Sequence, residues 1–253
     1  MPASQKHQIS DVERGDIFFL FRPRVDEEEP EGMADVQRFF IVLRAKGGRK
    51  LRLLVVGRKR LPDIEEHERN WGFVALVSHS ADAIERELRQ KEYMTKTRGQ
   101  QHQPAARPAG EGVYAITLQD GQLRLSFALE LPKKPREVQR AFKIPPEASY
   151  ILSVKNPEKG QPPSAGLRED EKASYPDRLQ REFRGRRFER EDVKLLDFPG
   201  AEFIMIGART NPERYGIELD TEAEDYEHAE IIRELRMVKS HHPIQPLFEG
   251  HWQ

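Results

Sequence analysis

The chain has 253 residues, of which 37% are hydrophobic and 34% charged, with no cysteine and a formal net charge of −1 from 42 Lys plus Arg against 43 Asp plus Glu. A chain this long buries about 70–75% of its unfolded surface and can build a core without covalent staples. The missing cysteines exclude disulfides, a thiol nucleophile and thiolate-ligated zinc or iron–sulfur centres, and the near-zero net charge supplies no bulk field toward polyanions or membranes.

Residues 1–16 carry no apolar run, and no stretch approaches the 18 or so apolar residues that span a bilayer, so neither a leader nor a membrane helix is expected and the expected location is the cytoplasm. The first predicted strand is 16–22. A hairpin follows, with strands at 36–44 and 50–56 about Lys46-Gly47-Gly48, a glycine pair able to take positive φ. Another strand is expected over 72–78. Residues 82–93 read as a solvated surface helix, with Ile84 and Leu88 one turn apart and Glu85/Arg89 and Glu87/Lys91 as i,i+4 ion pairs. The glycine- and proline-rich segment 96–112 reads as a long loop.

The clearest local signal comes next. Asp120-Gly121 is a preferred type I′ pair between strands at 113–119 and 122–131, and a two-residue turn there places Leu118 opposite Leu123, Ile116 opposite Leu125 and Tyr114 opposite Phe127. Short helices opening on proline are predicted at 135–143 and 176–184, strands at 149–154 and 202–207, and a second loop at 156–174. Residues 221–239 form a helix on paper: a Thr221-x-x-Glu224 capping box, acidic residues early, basic residues late, and a stripe of Ala229, Ile232, Leu235 and Val238. The expected fold is therefore α+β, a predominantly antiparallel β-sheet of hairpins with a few peripheral helices. It occupies one domain over 12–250, and the 96–112 segment is the joint if the chain divides into two lobes.

No phosphate-loop, dinucleotide-binding, nucleophile-elbow, HExxH or EF-hand pattern is present. Within 96–112, Lys96, Arg98 and Arg107 stand among glycines near His102, a composition suited to capturing phosphate or carboxylate; the plainer reading is a solvated connector. The run 44–60 holds eight basic residues and no acidic one. The hairpin splits them, with Lys46, Arg49 and Lys50 at its tip and Arg58, Lys59 and Arg60 at the far end. Polyanion binding needs one surface joining this run to 178–190, which holds six arginines; the plainer reading is pairing with the acids of 26–31 or 64–68. Neither His67 in its acidic run nor His241-His242 has ligand spacing, so no metal and no cofactor are expected. His79, beside Ser78 and Ser80, is the histidine whose setting suggests a desolvated pocket, against the plainer role of Ser80 as a helix cap. Phe18, Phe19, Phe21, Phe39 and Phe40 could stack on bases, but consecutive residues of a strand face opposite ways and half of them must pack inward. Leu247, Phe248 and Trp252 read as a tail covering an apolar edge or docking a partner.

The segments RLLVVGRKRLPD (52–63), YMTKTRG (93–99), ARPAGEGVY (106–114) and LSVKNP (152–157) resemble a family of uncharacterised bacterial proteins. That resemblance implies no activity and transfers no site residue. The leading expectation is a non-enzymatic binding or adaptor protein that contacts an anionic partner, nucleic acid being one candidate, through Lys96, Arg98 and Arg107 with Arg58, Lys59 and Arg60 beside them. The rival is an enzyme for a phosphorylated or acidic small molecule, with the same arginines as clamp and His102 or Glu111 moving the proton. A third reading is a structural subunit that docks a protein partner through the C-terminal helix and the Trp252 tail. No membrane partner is expected.

Overall fold

The structure is a computed structural model and describes residues 9–48, 50–95, 97, 99–160, 166–209, 219, 229–237 and 242–252. In chain order these form β1 (Ile9–Pro23), β2 (Val36–Ala45), β3 (Leu51–Val56), β4 (Arg69–Ser78), α1 (Ala81–Leu88), β5 (Lys91–Thr95), β6 (Gly99–Gln103), β7 (Arg107–Gln119) and β8 (Gln122–Leu131). Then follow α2 (Glu137–Ala141), β9 (Glu147–Lys155), α3 (Asp177–Glu182), β10 (Phe188–Glu189), β11 (Glu202–Arg209), α4 (Glu230–Glu234) and α5 (Gln245–Phe248).

The fold is predominantly antiparallel β with few, peripheral helices. Strands run in the order β9-β11-β4-β3-β2-β1-β7-β8, and β8 pairs back onto β9, closing an eight-stranded barrel. Closure removes the sheet edges that an open array of hairpins leaves exposed. The barrel takes strands from both sides of segment 96–112. The predicted hairpin register holds residue for residue: Leu118 faces Leu123, Ile116 faces Leu125 and Tyr114 faces Phe127, with Asp120 and Gly121 at φ 51° and 70°. The 36–44/50–56 hairpin also forms, with Gly47 at φ 82°.

Period-two alternation sorts the phenylalanines. Phe19, Phe21 and Phe39 point into the barrel, where Phe19 meets Phe127 at 4.9 Å between centroids and Phe39 stacks on Phe142 of the α2 turn at 4.9 Å. Phe18 and Phe40 point outward into a second apolar cluster with Ile84 and Leu88 of α1 and Ile231 of α4. All five are buried, so none offers a stacking surface to bases. Side chains fill this eight-stranded barrel, as is usual for its size.

Three expectations are corrected. Segment 96–112 is not a long loop: β6 and the first half of β7 occupy most of it. Its glycines serve close packing, since a Cβ on Gly112 would lie 2.0 Å from the Ala128 carbonyl oxygen and one on Gly110 would lie 3.0 Å from Leu129 Cδ1. Gly112→Ala should therefore destabilise the barrel by about 1–3 kcal/mol, read as a lowered urea midpoint at unchanged m. Second, α1 stops at Leu88 and the chain turns into β5, although both anticipated ion pairs form, Arg89–Glu85 at 2.6 Å and Lys91–Glu87 at 2.8 Å. Third, α4 ends at Glu234, and Arg236 has φ 54°, so the stripe does not continue as helix toward residue 239; residues 221–228 and 238–239 lie outside the described ones. Among the described residues no helix is long and apolar enough to cross a membrane.

Candidate functional site

Six of the eight basic residues of the 44–60 run, on β2, β3 and their flanks, are held internally; Lys46 is exposed and Arg49 lies outside the described residues. Arg52 is 1% exposed and bonds Glu13 at 2.5 and 2.9 Å and Asp197 at 2.8 Å; Lys50 reaches Asp197 at 2.5 Å and the Tyr114 hydroxyl donates to Glu13 at 2.7 Å. Burial alone would lower the Arg52 pKa, but its hydrogen bond to Glu13 and the charges of Glu13 and Asp197 outweigh that and hold the guanidinium charged. Arg44 bonds Asp16 and Glu234.

At the opposite end of the barrel Arg58 and Arg60 both bond Glu68, at 2.5 and 2.6 Å, while Lys59 donates to the Val36 carbonyl at 2.6 Å. This is the anticipated pairing with the acids of 64–68. The Arg60 hydrogen bond, opposed by burial, holds the Glu68 carboxyl down at about 2. A depressed carboxylate contributes stability above its unfolded value near 4.5, and that contribution drains away as pH falls toward 2. Urea midpoints at pH 5 and pH 3 should therefore fall further in the wild-type chain than in Glu68→Gln.

Arg107 is no surface anion contact. It is 4% exposed and donates to the carbonyls of Trp252, at 3.1 Å, and Glu28, tying the C-terminal tail to the 24–29 connection. Burial lowers its pKa, opposed by the charges of Glu28, Glu27 and Glu29. Lys96 and Arg98 lie outside the described residues. The proposed proton-transfer groups are occupied as well: His102 sits 2.7 Å from Glu28, and the buried Glu111 carboxylate accepts the backbone N–H groups of Glu230 at 3.1 Å and Ile231 at 2.9 Å. His79 is exposed rather than desolvated, and Ser80 stands at the α1 N-cap without a side-chain capping bond. Trp252 is buried against Phe21 and Phe142, so it covers the chain's own core and is not free to dock a partner.

The second arginine segment behaves differently. Leu179 and Phe183, one turn apart, pack onto the barrel core and leave Arg178 and Arg181 on the outer side of α3. Arg184 and Gly185, at φ 48° and 71°, end the helix in a left-handed turn, and β10 then pairs Phe188 with Lys155 and Glu189 with Val154. All six arginines, 178, 181, 184, 186, 187 and 190, are exposed, and among the described residues only Arg186 pairs with a carboxylate, Glu189, at 2.6 Å. Arg187 bonds the Gly160 carbonyl at 3.1 Å. Between this segment and the Asp120-Gly121 turn runs a groove of ≈500 Å³, lined by Arg186, Arg187, Phe188 and Arg190 and also by the acids Asp120 and Glu191.

No family model, curated protein or solved structure matches the chain. The site must therefore be read from its own chemistry.

A separate cleft of ≈760 Å³ opens where the β2–β3 turn, the start of α1 and α4 meet over the outer face of the barrel, with Asp16, Arg44, Glu230, Arg233 and Glu234 among its walls. Sequence reasoning missed it. The available signal was Asp16 sharing a strand face with Phe18 and Leu20, which marks a carboxylate headed for burial.

Proposed function

We propose that the chain is a polyanion-binding protein whose contact surface is the arginine face of α3 and β10, with nucleic acid as the ligand. The observation that carries this reading is the contrast between the two basic segments. Carboxylates within the chain hold Arg44, Lys50, Arg52, Arg58 and Arg60, whereas Arg178, Arg181, Arg184, Arg187 and Arg190 face solvent without a carboxylate partner among the described residues; Lys59 and Arg187 each reach a backbone carbonyl. The planar guanidinium fork of an exposed arginine matches phosphate oxygens two at a time. A near-zero net charge is no obstacle, because phosphate recognition depends on the local field.

The groove beside the Asp120-Gly121 turn gives the backbone of a strand a place to lie, with Phe188 half-buried on its wall. Backbone contact without base-reading side chains makes the binding tolerant of sequence. Photocrosslinking to an oligonucleotide carrying halogenated pyrimidines tests the location. Adducts on the peptide spanning 178–190 are expected; adducts confined to 44–60 would reject this surface.

A further inference from the structure

Residues 229–237, which include α4, lie across the outside of the barrel as a strap. Ala229, Ile231, Leu235 and Met237 pack into one apolar cluster with Phe18, Leu20, Phe40, Val42, Leu51 and Leu53. The polar side of this joint is a cluster of acids. Asp16, 2% exposed on β1, shares one cleft with Glu230 and Glu234 of α4, so like charges meet there away from bulk water. Glu111 of β7, also buried, points at the same α4 terminus and holds the backbone N–H groups of Glu230 and Ile231.

Cations stand around the pair and limit its repulsion without cancelling it. Arg44 of β2 bonds Asp16 and also Glu234 at 2.7 Å; Arg233 bonds Glu230 at 2.8 Å and Glu234 at 3.2 Å. From α1, Asp82 holds Arg236 at 2.7 Å, while Lys46 and His79 line the mouth of the cleft. His242 packs nearby, 2.8 Å from the Ala106 carbonyl and 3.4 Å from Glu85.

We propose that this strap is a pH-sensitive latch, closed on the outer face of the barrel while the Glu230 carboxyl beside Asp16 is protonated and loosened when it ionises. Burial first, then the charge of Asp16 and the hydrogen bond to it, raise the Glu230 carboxyl from 4.5 to about 7. The sign follows from linkage: a carboxyl with a raised bound-state value favours the closed strap below that value and loses the preference as pH rises through it. Between pH 6 and pH 8 a single such group changes the closing equilibrium about tenfold. Loosening uncovers the apolar outer face, so the joint couples solution pH to exposure of Phe18, Phe40 and Val42.

Amide hydrogen exchange over 230–237, corrected for the intrinsic pH dependence of the chemistry, tests the latch in the full chain. Protection is expected to fall about tenfold from pH 6 to pH 8 in the wild type and to stay level in Glu230→Gln, whose amide keeps a donor toward Asp16 and cannot ionise. Asp16→Asn supplies the same test should Glu230→Gln misfold. If protection in the wild type is equal at the two pH values, the latch is wrong. An equal fall in the wild type and in these variants overturns it too, since the change would then not come from Glu230.

Discussion

Replacing Arg178, Arg181, Arg187 and Arg190 together by alanine should abolish most of the chain's affinity for nucleic acid while leaving its stability nearly intact. All four side chains are exposed and none is tied to a carboxylate among the described residues, so their removal strands no buried partner. Each phosphate contact contributes roughly 0.7–0.9 to the slope of log K against log salt, so four lost contacts flatten the slope by about 3. The wild-type and variant lines converge near 1 M salt and separate on dilution, which puts the deficit at 50 mM salt on the order of ten-thousandfold. The loss should be the same for oligonucleotides of different sequence, measured by fluorescence anisotropy. The matched control is Arg58→Ala with Lys59→Ala, exposed or half-buried basic residues at the other end of the barrel, which should bind like the wild type.

The largest expected effect on stability lies at Arg52. Truncating it to alanine removes the shared cation of Glu13 and Asp197 and leaves two mostly buried carboxylates with Lys50 as the one cation of this group. Breaking one side of a buried charge pair costs about 3–5 kcal/mol, mostly from the stranded partner rather than from the lost attraction. Tyr114 does not compensate: its hydroxyl donates to Glu13 and burial, which pushes its pKa up, keeps it neutral, so it brings no positive charge to the stranded carboxylates. Urea denaturation should show a midpoint lowered accordingly. A double variant, Arg52→Met with Glu13→Gln, should recover part of the loss, since it removes a stranded charge and refills the volume.

Local features were legible in the sequence and closure was not. The β7–β8 register followed from one dipeptide and an alternation, both short-range quantities. The pairing that turns a sheet into a barrel, β8 with β9, spans the α2 connection, and nothing in either strand names its partner. Gly110 and Gly112 misled in an instructive way: glycine marks chain turns and close approaches alike, and here it marks the approach of β8 to β7. The end of α1 was missed because Lys91 still pairs with Glu87 from the first residue of β5, so charge spacing outlives the helix.

Site residues divided along the same line. Charge runs identify where cations are, whereas burial and pairing decide which are available. Arg52 shares a strand face with Leu54 and Val56, so its burial was readable from period two. Arg107 was not, since its partners are backbone carbonyls of Glu28 and Trp252, far away in sequence. The arginines of α3 and β10 stay exposed for a local reason: Leu179 and Phe183 claim the inward side of the helix, and among the described residues only Arg186 of the six meets a carboxylate, the buried Glu189.

The most direct test is a salt titration of wild-type binding to a labelled single-stranded oligonucleotide. Five arginines without carboxylate partners among the described residues predict a linear plot of log K against log salt with a slope of roughly −3.5, or about −4.5 for a duplex. A slope near zero, or no binding at 50 mM salt, would contradict the proposal that this face holds a phosphate backbone.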